Sequence, residues 1–514
     1  MNGHVIVVDL GYGDAGKGTV VDWLCATART GRHPVRAVVR FNGGAQAAHH
    51  VLAPSGPPHA FAQFGSGTFT PGTGTFLSRF MLVDPLALVA EAEHLAVLGV
   101  PDPLALVAVD RGALLTTPYH RAANQAREEA REEARGDGRH GSCGLGIGET
   151  ARYALDDPAD APRAGDLDRP RALLGKLTRL RDRLAAETGF AVAGVPPPAD
   201  LAAVYRTVAG RVTLTGDGYL ARLLRQGPVV FEGAQGVLLD EWRGFHPYTT
   251  WSTTTFENAE TLLSESLTSS SSTTSTTTSS SSSTSTSTSS TSSGRLATRL
   301  GVTRTYQTRH GPGPFPTEDP SLGIAEPHNG SGRWQGPFRA GHLDAVALDY
   351  ARRVTGGVDA VALTHLDTVA LPHLNPAAPT RRDPAGRRPG RLRICRGYDL
   401  DGAAVTKIEP GPARDLAYQE ALSAALLRAR PVYSPGEALT AADWPDAVAE
   451  LLRAPVTVRS YGPAVTDKIA AGEAAGGPTA LRPRTPVTIG LPVCPTRCCI
   501  PLRRPRPATA VTAT

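Results

Sequence analysis

Apolar residues along the chain come in short unbroken runs that end in glycine and small polar residues. Val5-Ile6-Val7-Val8 leads into LGYGDAGKGTVVDWL, and then an apolar-periodic run. This predicts a strand over Val5–Asp9, a glycine turn and a helix to about Arg29. Val35–Arg40 reads as a second strand, ending at Phe41-Asn42-Gly43-Gly44. The two strands and the helix make a βαβ unit, so a mostly parallel sheet is expected. Residues 82–135 read as largely helical, with Arg127–Arg135 (REEAREEAR) as a charged, solvated helix face. Val229-Val230-Phe231 opens another strand, which runs into Glu232-Gly233-Ala234-Gln235-Gly236. Val358–Leu363 is a further buried strand, ending in Thr364-His365-Leu366-Asp367.

Two stretches have no period at all. Thr268–Ser293 is 26 consecutive serines and threonines. It cannot bury apolar surface to offset chain entropy, so a disordered insertion is expected. From about Ala470 the chain turns rich in Pro, Arg and Thr, and a disordered tail is expected there too. The expected organisation is therefore one domain over 1–469 and a tail over 470–514.

Composition changes this picture little. Of 514 residues, 41% are hydrophobic and 20% charged, which suits a large buried core. A net charge of +5 is small for the length, so nucleic acid is not the expected partner. Forty-nine of the 53 basic residues are arginine. Lysine is so rare that Lys17, inside the glycine turn, stands out. Three cysteines (Cys25, Cys143, Cys395) are scattered, and three (Cys494, Cys498, Cys499) crowd into the tail without the spacing of a metal site. No run approaches the roughly 18 apolar residues of a membrane span, and no signal-peptide pattern opens the chain. A cytoplasmic protein without membrane contact is expected.

The candidate chemistry lies at the strand ends. Gly11-x4-Gly16-Lys17 nearly spells a phosphate-binding P-loop, with Gly18 where Ser or Thr belongs. Glycines there let backbone N–H groups converge on a phosphate, and the helix adds its positive end. The same residues also suit a tight strand–helix turn or a dinucleotide loop. Asp14 is the anomaly. Phosphates repel a carboxylate unless Mg²⁺ lies between them, or unless the acid takes a proton from the substrate. His49 and His50 follow the second strand, at the sheet edge where ligands bind, which makes His49 a candidate general acid.

Seven ordered blocks extend this reading. GYGDAGKGT, RFNGGAQAAHHV (residues 40–51), FEGAQGVLLD (231–240), HPYTT (246–250), TRHGPGPFPTED (308–319), LTHLD (363–367) and Ser460-Tyr461-Gly462-Pro463 resemble, in order, the conserved segments of adenylosuccinate synthetases. The resemblance covers about 1–465. It implies an α/β, P-loop-like nucleotide-binding fold: a central mostly parallel sheet with helical and small sheet subdomains, forming homodimers. It implies a GTP-dependent ligase that joins IMP and aspartate with Mg²⁺. Asp14 would be the base that removes the purine N1 proton, and His49 the general acid. Gly13, Ala15, Gly16, Lys17, Gly18, Thr19, Ala48, His50, His365, Leu366, Asp367, Ser460, Tyr461 and Gly462 would hold GTP. Asp367 would accept from the guanine base. Gln46, Cys143, Gln235, Leu239 and Thr250 would contact IMP. Asp14 and the Ala48 carbonyl would meet Mg²⁺.

The chain departs from the family pattern in places. Ala48 replaces a glycine, His50 a threonine, Cys143 a threonine and Leu145 an arginine; Arg163 lies a few residues from where an IMP-binding arginine is expected. The family's arginine-rich aspartate loop falls on 332–341, where Gly336 and Phe338 take arginine positions. Arg333 and Arg339 are the remaining candidates for gripping the amino acid. The same phosphoryl-activation chemistry on a different amine or purine acceptor, and a non-catalytic nucleotide-binding paralogue, are the alternative readings.

Overall fold

The first strand, β1 (His4–Asp9), is covered on both faces, which is why it reads as an unbroken apolar run. Val5 and Val7 pack with Val20, Val21 and Leu24 of the first helix, α1 (Lys17–Arg29). Ile6 and Val8 enter the opposite core with Phe41 and Phe231. The computed structural model describes residues 3–29, 31, 33–135, 141–271, 296–324, 326, 333–369, 391–434 and 439–472.

β2 (Ala37–Arg40) completes the βαβ unit, and a hairpin follows, β3 (His49–Leu52) and β4 (Pro58–Phe61). Next come β5 (Gly74–Leu77), β6 (Leu82–Val83), α2 (Pro85–Val97), β7 (Val107–Asp110) and β8 (Leu114–Leu115). A helical layer is then built from α3 (Pro118–Arg135), α4 (Ile147–Asp156), α5 (Pro170–Thr188) and α6 (Pro198–Ala209). Its core is a helical-period stripe on α5, Leu173, Leu177, Leu180 and Leu184, all fully buried. The chain returns through β9 (Thr213–Thr215), α7 (Tyr219–Gln226), β10 (Val229–Glu232) and α8 (Glu257–Ser271). β11 (Ala297–Arg304), β12 (Tyr306–His310), β13 (Phe338–Asp344), α9 (Ala345–Val354) and β14 (Ala360–Thr364) follow. The last strands are β15 (Ile394–Leu400), β16 (Ala403–Val405), β17 (Arg430–Tyr433), β18 (Val456–Ser460) and β19 (Lys468–Ala470).

Ten strands form one sheet in the order β19-β18-β14-β11-β1-β10-β2-β5-β7-β9. Every neighbouring pair is parallel except β18 with β19. A smaller mixed sheet, β12-β13-β15-β16 with β17 beside β15, stands apart. This is the α/β architecture expected, a large mostly parallel sheet with helical and small-sheet additions.

Two expectations need correction and one needs refining. Residues 82–135 are largely helical, as expected, but β7 and β8 lie between α2 and α3. An apolar run as short as Val-Ala-Val does not distinguish strand from helix by period. The charged face of α3 is not simply solvated. Glu128 is buried against Arg131, and Arg127 reaches Glu149 on α4 and Glu187 on α5. The Ser/Thr tract does not begin as an insertion, since its first four residues extend α8. The rest of that tract, and the tail, lie outside the described residues. No helix among the described residues is long and apolar enough to cross a membrane.

Candidate functional site

Because β1, β2, β10, β11, β14 and β18 run parallel, the segments that follow them emerge at one edge of the sheet. Chain order reverses beside β1, which has β10 on one side and β11 on the other. Open α/β sheets bind ligands at such a point, outside the carboxyl ends of the strands.

The glycine loop is organised around Asp9, the last residue of β1. Its buried carboxylate accepts from the N–H of Gly11 at 2.7 Å and of Ala15 at 2.8 Å, and from Lys17 Nζ at 3.1 Å. Lys17, itself buried, is thus anchored at the foot of the loop. The Thr364 hydroxyl at the end of β14 donates to the Ala15 carbonyl at 2.7 Å. Gly236 closes the other side, where a Cβ would fall 2.3 Å from the Gly11 carbonyl oxygen. Glycine is required there by contact, not by φ. Thr19 donates back to Gly16 O at 3.1 Å, closing the first turn of α1.

Gly18 explains the broken P-loop motif. A Cβ at this position would lie 2.6 Å from His49 Cβ and 3.0 Å from Ser66 Oγ. The space that a P-loop gives to a hydroxyl side chain is filled here by His49. That residue opens β3, after the glycine-rich turn that follows β2. His49 Nδ1 is 2.6 Å from Glu232 Oε1. Facing a carboxylate, Nδ1 carries the proton and donates. Nε2 is buried and has no hydrogen-bond partner among the described residues. Burial lowers the imidazole pKa, and Glu232 only partly opposes this. Burial would likewise raise the Glu232 carboxyl, but the hydrogen bond and charge of His49, then Arg40 and Ser66, bring it down to about 2. Ser66 donates to Glu232 from its N–H at 2.9 Å and from its hydroxyl.

Asp14 sits in the loop at φ 59°, a left-handed conformation unusual for a residue with a Cβ. Its carbonyl accepts two bonds from the Arg304 guanidinium, one of them Nε at 2.6 Å. Arg304 also donates to Glu326 at 2.6 Å. The Asp14 carboxylate, one-third exposed, lies 2.9 Å from His310 Nε2. Burial alone would raise its pKa. The His310 hydrogen bond and charge, then Arg304 and Lys17, hold it well below the usual carboxylate range. It is therefore ionised at neutral pH.

The other expected residues fall into groups. His365 (φ 58°) follows β14, and the Leu366 N–H donates to the Ser460 carbonyl at 3.0 Å, joining 365–367 to 460–462. The Ser460 hydroxyl and Lys468 both donate to the Gly462 carbonyl. Asp367, like Ser460, stands at this end of the sheet. Ala48 and His50 are exposed, and Ala48 lies outside the left-handed region, so its alanine costs the backbone nothing there. Gln46 is the clearest orphan. Both of its amide atoms, and Oε1 of Gln235, are buried without a partner among the described residues. Gln235 (φ 61°) packs its backbone on Gly13 (φ 101°). Thr250 donates its N–H to Leu239 O at 2.8 Å, so these two expected contacts are neighbours. Cys143 is half-buried in a loop whose Gly141 lies against Pro312 and whose Gly144 lies against Trp334.

The expected amino-acid contacts are already engaged by the chain itself. Arg339 donates to Glu318 at 2.8 Å and to Gly313 O at 2.9 Å. Arg333 is two-thirds exposed and pairs with Glu129 on α3. Arg163 is tied to the Gly112 carbonyl at 2.7 Å. Sequence reading missed four contributors: Glu232, Ser66, Arg304 and His310. Glu232 and His310 lay inside quoted motifs, but their partners are 183 and 296 positions away, so no local pattern could pair them.

The adenylosuccinate synthetase family model matches residues 6–274 and 266–426. The adenylosuccinate synthetase of Anaeromyxobacter dehalogenans strain 2CP-1 is 31% identical over 423 residues, covering 80% of this chain and 83% of that protein. That of Magnetococcus marinus is 29% identical over 492 residues, covering 90% and 96%. The fold is that of the fully ligated adenylosuccinate synthetase of Plasmodium falciparum, with a TM-score of 0.68 and 20% identity over 91% of this chain and 100% of that one. The succinoaminodeoxyadenylate synthetase of cyanophage S-2L, bound to dGMP and dATP, matches at a TM-score of 0.52 and 17% identity, over 91% and 95%. The chain belongs to the adenylosuccinate synthetase family.

Proposed function

We propose that this chain is a GTP-dependent carbon–nitrogen ligase that phosphorylates O6 of IMP and couples the product to aspartate, forming adenylosuccinate, GDP and phosphate. One observation carries the reading. An ionised carboxylate, Asp14, lies within the phosphate-type loop, and against the same loop rests a histidine with one ring nitrogen fixed and the other unsatisfied. A carbonyl oxygen is a poor leaving group, and phosphorylation makes it a good one. Asp14 removes the N1 proton, so that O6 gains the charge to attack the γ-phosphorus. His49, oriented by Glu232, presents Nε2 to the charge that moves during transfer. The amine nitrogen then bonds to C6 as the C6–O bond breaks and phosphate leaves.

In this reading Gly13–Thr19, Ala48, His50, His365–Asp367 and Ser460–Gly462 hold GTP, with Asp367 at the guanine edge. Gln46 and Gln235, whose buried amides lack partners, face IMP, joined by Cys143, Leu239 and Thr250. Mg²⁺ takes one or two carboxylates plus phosphate and water rather than an all-protein cage. An ionised, partly exposed Asp14 fits that donor set, and the resemblance adds the exposed Ala48 backbone carbonyl. When bound, the ion neutralises phosphate charge. The resemblance also carries a cytoplasmic homodimer, with 1–469 as the catalytic unit.

A second reading keeps the activation chemistry and changes the amine. It is favoured by Arg339 and Arg333, each held by a carboxylate of the chain itself. The test is purified protein with GTP, Mg²⁺ and IMP, offered aspartate and a panel of other amines, following phosphate release and product mass. Adenylosuccinate with aspartate is expected. Product only with another amine selects the second reading, and GTP binding without turnover defeats both. Asp14→Asn should abolish turnover while GTP still binds, and an active Asn variant would remove Asp14 from its role.

A further inference from the structure

Asp14 is held at two points by one short piece of chain. Arg304, the last residue of β11, binds its carbonyl, and His310, the last residue of β12, meets its carboxylate at 2.9 Å. Only Thr305 separates the two strands. The ring of His310 is itself fixed. It pairs in register with Phe338 across β12–β13, and the two rings meet edge-on with centroids 4.9 Å apart. The His310 contact uses Oδ2 of Asp14. Without a second anchor, rotation about the Asp14 side-chain bonds would turn the carboxylate away, and the left-handed backbone at this residue adds to the strain the anchors must offset.

We infer that His310 is a positioning residue for Asp14, its Nε2–H fixing one carboxylate oxygen so that the other faces the bound nucleotide. The inference rests on the reading of Asp14 given above. The chain's own design supports it. The ring lies at the end of a paired strand rather than on a free loop, so its nitrogen is placed by the sheet.

Two substitutions separate the hydrogen bond from the packing. His310→Gln keeps an N–H donor at about the same reach, and His310→Phe keeps the ring against Phe338 but has no donor. With GTP, IMP, Mg²⁺ and aspartate, His310→Phe should lower kcat by about tenfold to a hundredfold, the usual penalty for a misplaced catalytic group, with KM for GTP little changed. His310→Gln should recover most of that loss. Thermal melting of both variants checks that each is folded. Full activity in the Phe variant, or equal loss in both folded variants, overturns the inference. Should the Gln variant alone fail to fold, an active Phe variant still overturns it and a slow, folded one supports it. Asp14→Asn, assayed alongside, keeps the two claims distinct. If it is active, the reading of Asp14 fails. If it is dead while His310→Phe is unimpaired, only the positioning role fails.

Discussion

At the scale of single residues, the site is a set of exchanges between side-chain volume and chemistry. Gly18 gives up the hydroxyl of a P-loop so that His49 can lie against the loop. Restoring the P-loop consensus with Gly18→Ser should therefore lower turnover. The new Cβ pushes His49 aside, and crowding of this kind costs about 1–3 kcal/mol in a packed site. Steady-state kinetics check this, and an unchanged or raised kcat would contradict it. Glu232→Gln keeps the shape of the contact to His49 but removes the charge that sets its tautomer. A fall in kcat of at least about tenfold, with GTP affinity kept, is expected by the logic of carboxylate–histidine pairs. Much at this scale was legible. Asp14, Lys17 and His49 stood out because each breaks a local pattern. Glu232 and His310 did not, because their importance lies in partners 183 and 296 positions away, and only the order of strands brings the pairs together.

At the scale of elements, one helix start carries an unexpected pH dependence. Thr117 precedes α3, and the hydrogen bonds around it form a capping box with histidine in the role usually held by glutamate. The His120 N–H donates to Thr117 Oγ1 at 3.4 Å, and the Thr117 N–H donates to His120 Nδ1 at 3.1 Å. Nδ1 must be unprotonated to accept. Burial, with Arg152 adding to it, lowers the His120 pKa to about 3. Unfolded, the same group titrates at its ordinary value of 6.5. Stability from this group is therefore fully present above pH 6.5 and drains away as pH falls toward about 3. His120→Gln, which can accept through Oε1 but does not titrate, should make the melting midpoint decline less steeply between pH 7 and 5. A slope identical to that of the parent protein would assign the acid sensitivity elsewhere. The sequence showed a helix here but not its cap, because His is not a residue read as a capping signal. It also misread β7, whose few apolar residues carry no period.

At the scale of the whole molecule, the site is assembled from loops that have little to do with one another in the chain and share one edge of a sheet. A nucleotide spanning them should act as a clamp. GDP at about a hundred times its dissociation constant adds roughly 2.7 kcal/mol to stability by mass action, so the melting midpoint should rise with GDP. ADP at the same concentration should do less, and an equal effect would remove Asp367 from the base-reading role. The parallel sheet and its strand-end loops were legible from the apolar runs and glycines. The strand order was not, since nothing local says that β10 slips between β1 and β2. That order has a cost during biosynthesis. β1 is made before both of its hydrogen-bonding neighbours, which come more than two hundred residues downstream. Until the ribosome has delivered residues 229–232 and 297–304, this apolar strand at the middle of the sheet remains a bare template, open to pairing with whatever chain lies nearby.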